Sequence, residues 1–254
     1  MTNSSAKHFS MILIIILGVM TAFGPLTIDT YTPSLPKVQH NFGTSTSEIQ
    51  LTLSFAMIGL ALGQFLFGPI SDVFGRRRVA MILMIGYFIA SMISVFTTHL
   101  TLFLIMRFIQ GLTSGGAIVI AKASVGDKYD GNALAKFLAS LMVVNGIISI
   151  LAPLLGGLIL SISNWRMIFA FLTFIAVIVL VGVFLKMPSH IHTAQNRLNF
   201  KDILQDFIYL LKKPAFVIPM LLQGLTYVML FSYSSASPFI TQRIYHMSLS
   251  LIHI

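Results

Sequence analysis

Charge is scarce in this chain. Asp, Glu, Lys and Arg make up 9% of its 254 residues, whereas soluble domains carry about 25%. Against that stands a hydrophobic fraction of 56%. Such a chain cannot cover a water-facing surface, which excludes a soluble enzyme and places the apolar excess in lipid. Cysteine is absent, which excludes disulfides, thiolate metal sites and thiol catalysis. Acidic residues number 7 against 16 basic ones, for a formal charge of +9. In a membrane chain that excess belongs to basic cytoplasmic loops and is no argument for nucleic acid. No Walker-type loop is present, no apolar run holds paired carboxylates, and His190-x-His192 has no further ligand nearby. The expectation is therefore no enzyme, no catalytic residues, no cofactor and no metal.

What the chain does have is long runs free of charge. A membrane-crossing helix needs about 20 mostly apolar residues. Phe9 to Ile28 supplies one and extends past Asp29 towards Pro36. Ile49 to Ser71 is the second, and Val79 to Met106 is long enough to hold a turn at Thr97-Thr98-His99. That turn separates a third helix from a fourth, which runs through Arg107 to about Ala121. Phe137 to Leu160, Trp165 to Leu185 and Pro214 to Thr241 make the fifth, sixth and seventh. The first run has only Lys7 as a basic flank and no small-residue cleavage site, so it reads as a retained helix and not a signal peptide.

Basic residues orient the array. With the N-terminus in the cytoplasm, twelve of the 16 fall inside, only Lys37, Arg166 and Arg243 fall outside, and Arg107 lies within a span. The chain thus divides into a six-helix bundle (1–186), a polar cytoplasmic linker (187–213) and the first helix of a further unit (214–248). Asn199 to Leu211 within the linker is patterned as an amphipathic interfacial helix. One reverse translation of Leu249 to Ile254 reproduces the transposase mosaic-end adapter of sequencing libraries. Residues 249–254 are therefore expected to be adapter-derived, and natural sequence to end near Ser248.

The residues with chemical content come next. After the second helix the chain reads Gly68-Pro69-Ile70-Ser71-Asp72-Val73-Phe74-Gly75-Arg76-Arg77-Arg78. Gly68 would allow close helix approach, Asp72 accepts hydrogen bonds from backbone or arginine, and Gly75 permits a tight turn. The arginines anchor the loop at an anionic membrane face. Gly59-x-x-x-Gly63 and Gly111-x-x-x-Gly115 let helices approach closely. Pro153 with Gly156 and Gly157 is expected to kink the fifth helix.

Arg107 is costly inside a span and should face the bundle interior with a partner. Counting at 1.5 Å per residue puts Arg107 and Asp29 at similar depths, roughly 10 and 9 Å from the outer surface. One reading pairs them, directly or through water, so that Arg107 and burial together set the protonation of Asp29. The other leaves Asp29 as a helix terminator before Pro33 and Arg107 bonded to carbonyls alone. Tyr31, Gln110, Asn145 and Tyr227 are candidates for a cavity wall. Gln64 and Gln223 are further polar groups within spans.

The loop run resembles the loop 2–3 motif of the major facilitator superfamily. Arg107-Phe108-Ile109-Gln110-Gly111 resembles its Arg-x-x-Gln-Gly motif. Ala152-Pro153-Leu154-Leu155-Gly156-Gly157 is similar to the antiporter motif, with alanine for its first glycine. Asp29-Thr30-Tyr31-Thr32-Pro33-Ser34-Leu35-Pro36, Trp165 to Phe169 and Ser237-Pro238-Phe239 resemble the bicyclomycin-resistance (Bcr/CflA) drug-efflux subfamily. The resemblance covers Phe9 to about Met247.

It implies an all-α major facilitator fold, with a complete N-terminal six-helix half plus helix seven of a twelve-helix protein. It implies a drug/proton antiporter in the bacterial inner membrane, monomeric at full length, exchanging a drug-like small molecule for protons. Asp29 and Arg107 would couple proton and substrate, the loop around Asp72 would hold one conformational state, and Pro153, Gly156 and Gly157 would seal against proton leak. Such a fragment alone is expected not to transport. The alternative is a sugar or metabolite carrier of the same fold.

Overall fold

The computed structural model describes residues 11–188 and 200–245. Lys7, the His190-x-His192 pair and the tail 249–254 lie outside the described residues, as does part of the 187–213 segment. Among the described residues the regular structure is helical. In order it comprises α1 (Met11–Thr21), α2 (Phe23–Ile28), a 3-10 turn (Thr32–Ser34), α3 (Leu35–Phe42) and α4 (Thr46–Phe74). Then follow α5 (Arg76–Phe96), α6 (Leu100–Gly126), α7 (Gly131–Ile162), α8 (Arg166–Lys186), α9 (Phe200–Leu211), α10 (Pro214–Phe239) and a π-turn (Ile240–Ile244). Among the described residues six helices are long and apolar enough to cross a membrane, seven when the bent α1–α3 segment is counted as one span.

The first span departs from the single helix expected through Asp29. It bends by 49° after Thr21 and breaks again beyond Ile28. Proline explains both interruptions, because it has no N–H to offer the carbonyl four residues back. Pro25 leaves the Thr21 carbonyl without its i+4 donor, and Pro33 does the same to Asp29, while the Thr32 carbonyl takes the Leu35 N–H in the 3-10 turn. Beside these breaks the Thr21 and Thr32 hydroxyls donate to the Gly18 and Ile28 carbonyls at 2.7 and 2.8 Å.

The other boundaries follow from capping chemistry. Ser45 and Glu48 close a capping box at the start of α4, satisfying two of the orphan N–H groups there. Gly75, at φ 91°, ψ 130°, ends α4 and opens α5; a side chain would strain that conformation. Thr97 turns extended between α5 and α6, at the expected break. α6 continues past Ala121 to Gly126, and α7 starts six residues before Phe137. Pro153 lies inside α7, which runs unbroken from Gly131 to Ile162.

α6 is the central helix, the most deeply buried of the six unbroken spans. Its partner α4 crosses it at backbone contact. A methyl group on Gly59 or Gly63 would lie 2.2 or 2.0 Å from the Phe108 or Leu112 carbonyl oxygen, and on Gly111 or Gly115 1.9 or 2.1 Å from that of Ala56 or Leu60. Both small-residue pairs thus serve one interface, as their spacing predicts. Gly68 does not: its nearest neighbour would be a Val119 methyl at 3.7 Å, an ordinary contact. Beside this pair an aromatic cluster of Phe42, Phe103, Trp165 and Phe169 joins α3, α6 and α8, with ring centres 5.3–6.0 Å apart.

α10 stands apart from this core and is exposed along nearly its whole length, with Phe239 and Pro238 buried at its end. It meets the bundle through Gln50 Nε2, which donates to the Ser235 carbonyl at 3.2 Å, and Gln242 Nε2, which donates to that of Pro33 at 3.1 Å. α9 occupies the segment patterned as amphipathic, and its Phe207 ring packs 5.5 Å from Phe65 of α4.

Gly115→Val is expected to lower stability by about 1–3 kcal/mol or to prevent folding, since neither backbone can yield. Gly146→Ala, where a Cβ meets nothing within 4 Å, should be neutral or mildly stabilising. Thermal unfolding of both purified variants in detergent checks the contrast.

Candidate functional site

Two polar constellations stand out, one buried among the spans and one at an end of the bundle. The buried one is built around Arg107, whose side chain is completely inaccessible. Its Nη1 donates to Gln110 Oε1 at 2.9 Å, one turn along α6. Its Nη2 donates to the Thr27 carbonyl at 3.0 Å. Thr27 sits in the last turn of α2, where carbonyls have no helical donor. The break in the first span therefore supplies the acceptor that the arginine takes. Above the guanidinium lies the Tyr31 ring, 4.5 Å from Cζ to its centre, with Phe169 at 5.7 Å; both ring faces attract the cation.

A shell of hydroxyls extends this network. Gln110 Nε2 donates to Ser91 Oγ at 2.7 Å. Thr27 Oγ1 and the Tyr87 hydroxyl are 2.9 Å apart. The Thr52 hydroxyl donates to the Ile49 carbonyl at 2.6 Å, which commits its hydrogen. The Tyr31 hydroxyl, 3.0 Å from Thr52 Oγ1, is then the donor of that bond. Five elements, α2, the turn after it, α4, α5 and α6, are thereby tied to one cation. Arg107 Nε and Thr30 Oγ1 are buried without a partner among the described residues.

Asp29 makes no direct pair with Arg107. It is half-buried, and among the described residues no cation lies within ion-pair distance of it. Arg107 instead takes a carbonyl two residues earlier in the chain, because Asp29 caps α2, its own N–H bonded to the Pro25 carbonyl at 2.7 Å. The terminator reading is thus the one the geometry favours for the backbone, and the carboxylate has no ion-pair partner among the described residues. Gly156 of α7 closes on the next residue: a Cβ there would lie 2.1 Å from the Thr30 carbonyl oxygen. The fifth-helix motif and the break in the first span are therefore in backbone contact. Gly157 is buried beside it.

The candidate wall residues divide. Tyr31 and Gln110 are fully buried in the arginine network. Asn145 is half-buried on α7, and Tyr227 is exposed on α10 with its ring stacked 5.8 Å from Phe231. Gln64 and Gln223 are exposed. Thr27, Thr52, Tyr87 and Ser91 escaped the sequence reading, since single hydroxyls in apolar helices carry no spacing signal.

The second constellation is the loop of Asp72. Arg76 pairs with Asp72 one turn before it and with Asp127, from Nε to Oδ2 at 3.0 Å and from Nη2 to Oδ1 at 3.3 Å. Its Nη1 reaches the Gly68 carbonyl at 3.2 Å and Ser71 Oγ at 2.5 Å. One planar fork therefore clamps the end of α4 to the end of α6, a geometry that lysine cannot reproduce. Asp127 was missed in the sequence reading. Arg77 donates to the Phe184 carbonyl at the end of α8 and lies over the Phe184 ring at 5.4 Å. At the opposite end of the bundle Lys37 donates to the Leu160 carbonyl, and Arg166 to Asn41 and the Thr97 carbonyl.

Among the described residues no cluster of three or more potential metal ligands occurs. Tyr31→Phe should cost about 0.5–1.5 kcal/mol, one lost hydrogen bond. Arg107→Lys should cost more, because one ammonium cannot span Gln110, the Thr27 carbonyl and the Tyr31 face together. Denaturation midpoints of the two variants test that order.

Comparison with known proteins accords with this architecture. Residues 11–254 match the family model described as Major Facilitator Superfamily. An uncharacterized MFS-type transporter of Bacillus subtilis, YdgK, is 31% identical over 97% of the chain and 62% of its own length. A bicyclomycin resistance protein homolog of Haemophilus influenzae is 26% identical over 93% of the chain and 60% of its own length. A chloramphenicol resistance protein of Pseudomonas aeruginosa is 34% identical over 67% of the chain and 41% of its own length. The crystal structure of the human organic anion transporter MFSD10 superposes with a TM-score of 0.63, at 18% identity, over 95% of the chain and 68% of its own. The chain therefore spans about three-fifths of the bacterial relatives that match most of it. Family and fold are those of transporters.

Proposed function

We propose that this chain, which belongs to the major facilitator superfamily, works as part of a proton-driven drug exporter of the bicyclomycin-resistance type. The observation that carries the reading is the Asp29 carboxylate, half-buried in a broken span and without an ion-pair partner among the described residues, while Arg107 bonds to Gln110 and the Thr27 carbonyl instead. An ionisable group at membrane depth without a structural partner is free to exchange a proton or to meet a cationic or polar substrate. A carboxylate already locked to arginine would have to break that pair first. Gly156, in backbone contact with Thr30, links movement of the fifth helix to this acid. Names borne by relatives, bicyclomycin resistance, chloramphenicol resistance and multidrug resistance, favour a drug-like substrate over a sugar or metabolite.

In this reading proton release and substrate uptake compete at Asp29, and the two halves of the full protein rock around a midplane site. Arg76 with Asp72 and Asp127 holds one of the end states. The bundle end that carries Arg76 to Arg78 faces the cytoplasm of a bacterium, where basic residues concentrate, and the N-terminus lies on the same side. Transport by this fold needs a second six-helix half.

The transport reading is tested on the protein of the full reading frame in liposomes. Drug addition should release protons, and an imposed proton gradient should drive drug uptake. Asp29→Asn should cut the coupled flux by roughly tenfold or more, each tenfold being about 1.4 kcal/mol, while leaving the unfolding temperature unchanged. Coupled flux that survives Asp29→Asn would overturn the role of this acid.

A further inference from the structure

The three consecutive arginines after Gly75 have different fates. Arg76 occupies both nearby carboxylates, Asp72 and Asp127. Arg77 is spent on the Phe184 carbonyl and ring, and its Nε is buried with no acceptor among the described residues. Arg78 is exposed and has no acidic partner among the described residues. Directly along α5 from Arg78 lies a cavity of about 540 Å³ between α5 and α8. Arg78 is its only charged or polar lining residue; the walls are Met81, Ile82, Ile85, Val181 and Phe184, with Leu180. Ile82 is 65% exposed and Phe184 58%. Lys186, also without an ion pair among the described residues, ends α8 two residues beyond Phe184.

Every outward face of a membrane bundle meets acyl chains. This face is distinguished by being recessed and by ending at an uncompensated guanidinium. A basic residue at the mouth of an apolar cleft between helices is the arrangement that holds an acidic lipid headgroup. The groove descends from Arg78 to Ile85, seven residues or roughly 10 Å along the helix, so a chain in it runs parallel to α5 with its phosphate at the arginine. We infer that this cleft is a binding site for one anionic glycerophospholipid. Its phosphate is held by Arg78, and an acyl chain fills the space between α5 and α8. A zwitterionic lipid fits the apolar walls equally well but brings its own cation to the guanidinium, so the selectivity resides at Arg78. Occupancy would fasten the third span to the sixth at the end where Arg77 already joins them.

The test uses the 254-residue chain purified in detergent and titrated with phosphatidylglycerol or phosphatidylcholine, with retained lipid counted by native mass spectrometry. Wild type is expected to retain one phosphatidylglycerol about fivefold better than phosphatidylcholine, the scale set by a single basic side chain at a membrane surface. Arg78→Gln should bring that ratio to about one, and Arg78→Lys should keep most of it. Ile85→Trp, which fills the cleft and leaves the arginine in place, should lower retention of both lipids. Equal retention of the two lipids by wild type would overturn the inference. So would an unchanged ratio in Arg78→Gln, unchanged retention in Ile85→Trp, or displacement of the lipid by glycerol 3-phosphate at matched concentration. None of these readings depends on drug flux, so the lipid site stands or falls apart from the transport proposal.

Discussion

A guanidinium buried at membrane depth must be satisfied from within the protein, because lipid offers it nothing. Arg107 meets that demand with a side-chain amide, a main-chain carbonyl and an aromatic face. The carbonyl is available because the first span is interrupted, and Pro25 and Pro33 contribute to that interruption by denying donors to the turns before them. A broken helix and a buried cation are each expensive in lipid. Here each answers the other's deficit, and the hydroxyls of Thr27, Tyr31, Thr52, Tyr87 and Ser91 arrange themselves around the result.

The same arrangement leaves Asp29 out. A bidentate pair between Arg107 and Asp29 would have been the simplest electrostatic solution, and depth counting alone pointed to it. The helix end intervenes: Asp29 is the residue that closes α2, and its neighbour Thr27 presents its carbonyl to the arginine instead. Backbone satisfaction, which sequence spacing does not display, decided which group the arginine took. Around this point α4 and α6 are held at glycine-limited distance, and Gly156 presses α7 onto Thr30.

Much of the architecture was legible because membrane-spanning helices announce themselves by length and by the absence of charge. The turn at Thr97 and the glycine at residue 75 were readable from local chemistry, and the two small-residue pairs from their spacing. Gly68 was misjudged because a glycine in a motif looks alike whether its missing side chain or its carbonyl is what matters; here the carbonyl is used, by Ser71 and Arg76. The interruption of the first span was underestimated because proline near a helix start is tolerated, and sequence alone does not say where a start lies. Asp127 was overlooked because its partner is 51 residues away and no local pattern joins them.

The way α10 meets the bundle has its own consequence. Both amide donors, Gln50 and Gln242, address main-chain oxygens, those of Ser235 and Pro33. The receiving side of each contact is therefore written in the backbone and not in a side chain. Drift at positions 235 and 33 that preserves the helix path would leave the contact intact, so this seam can persist while its sequence diverges. Water can also replace a single amide-to-carbonyl bond at little enthalpic loss, which lets such a seam part and rejoin without demanding a matched partner each time.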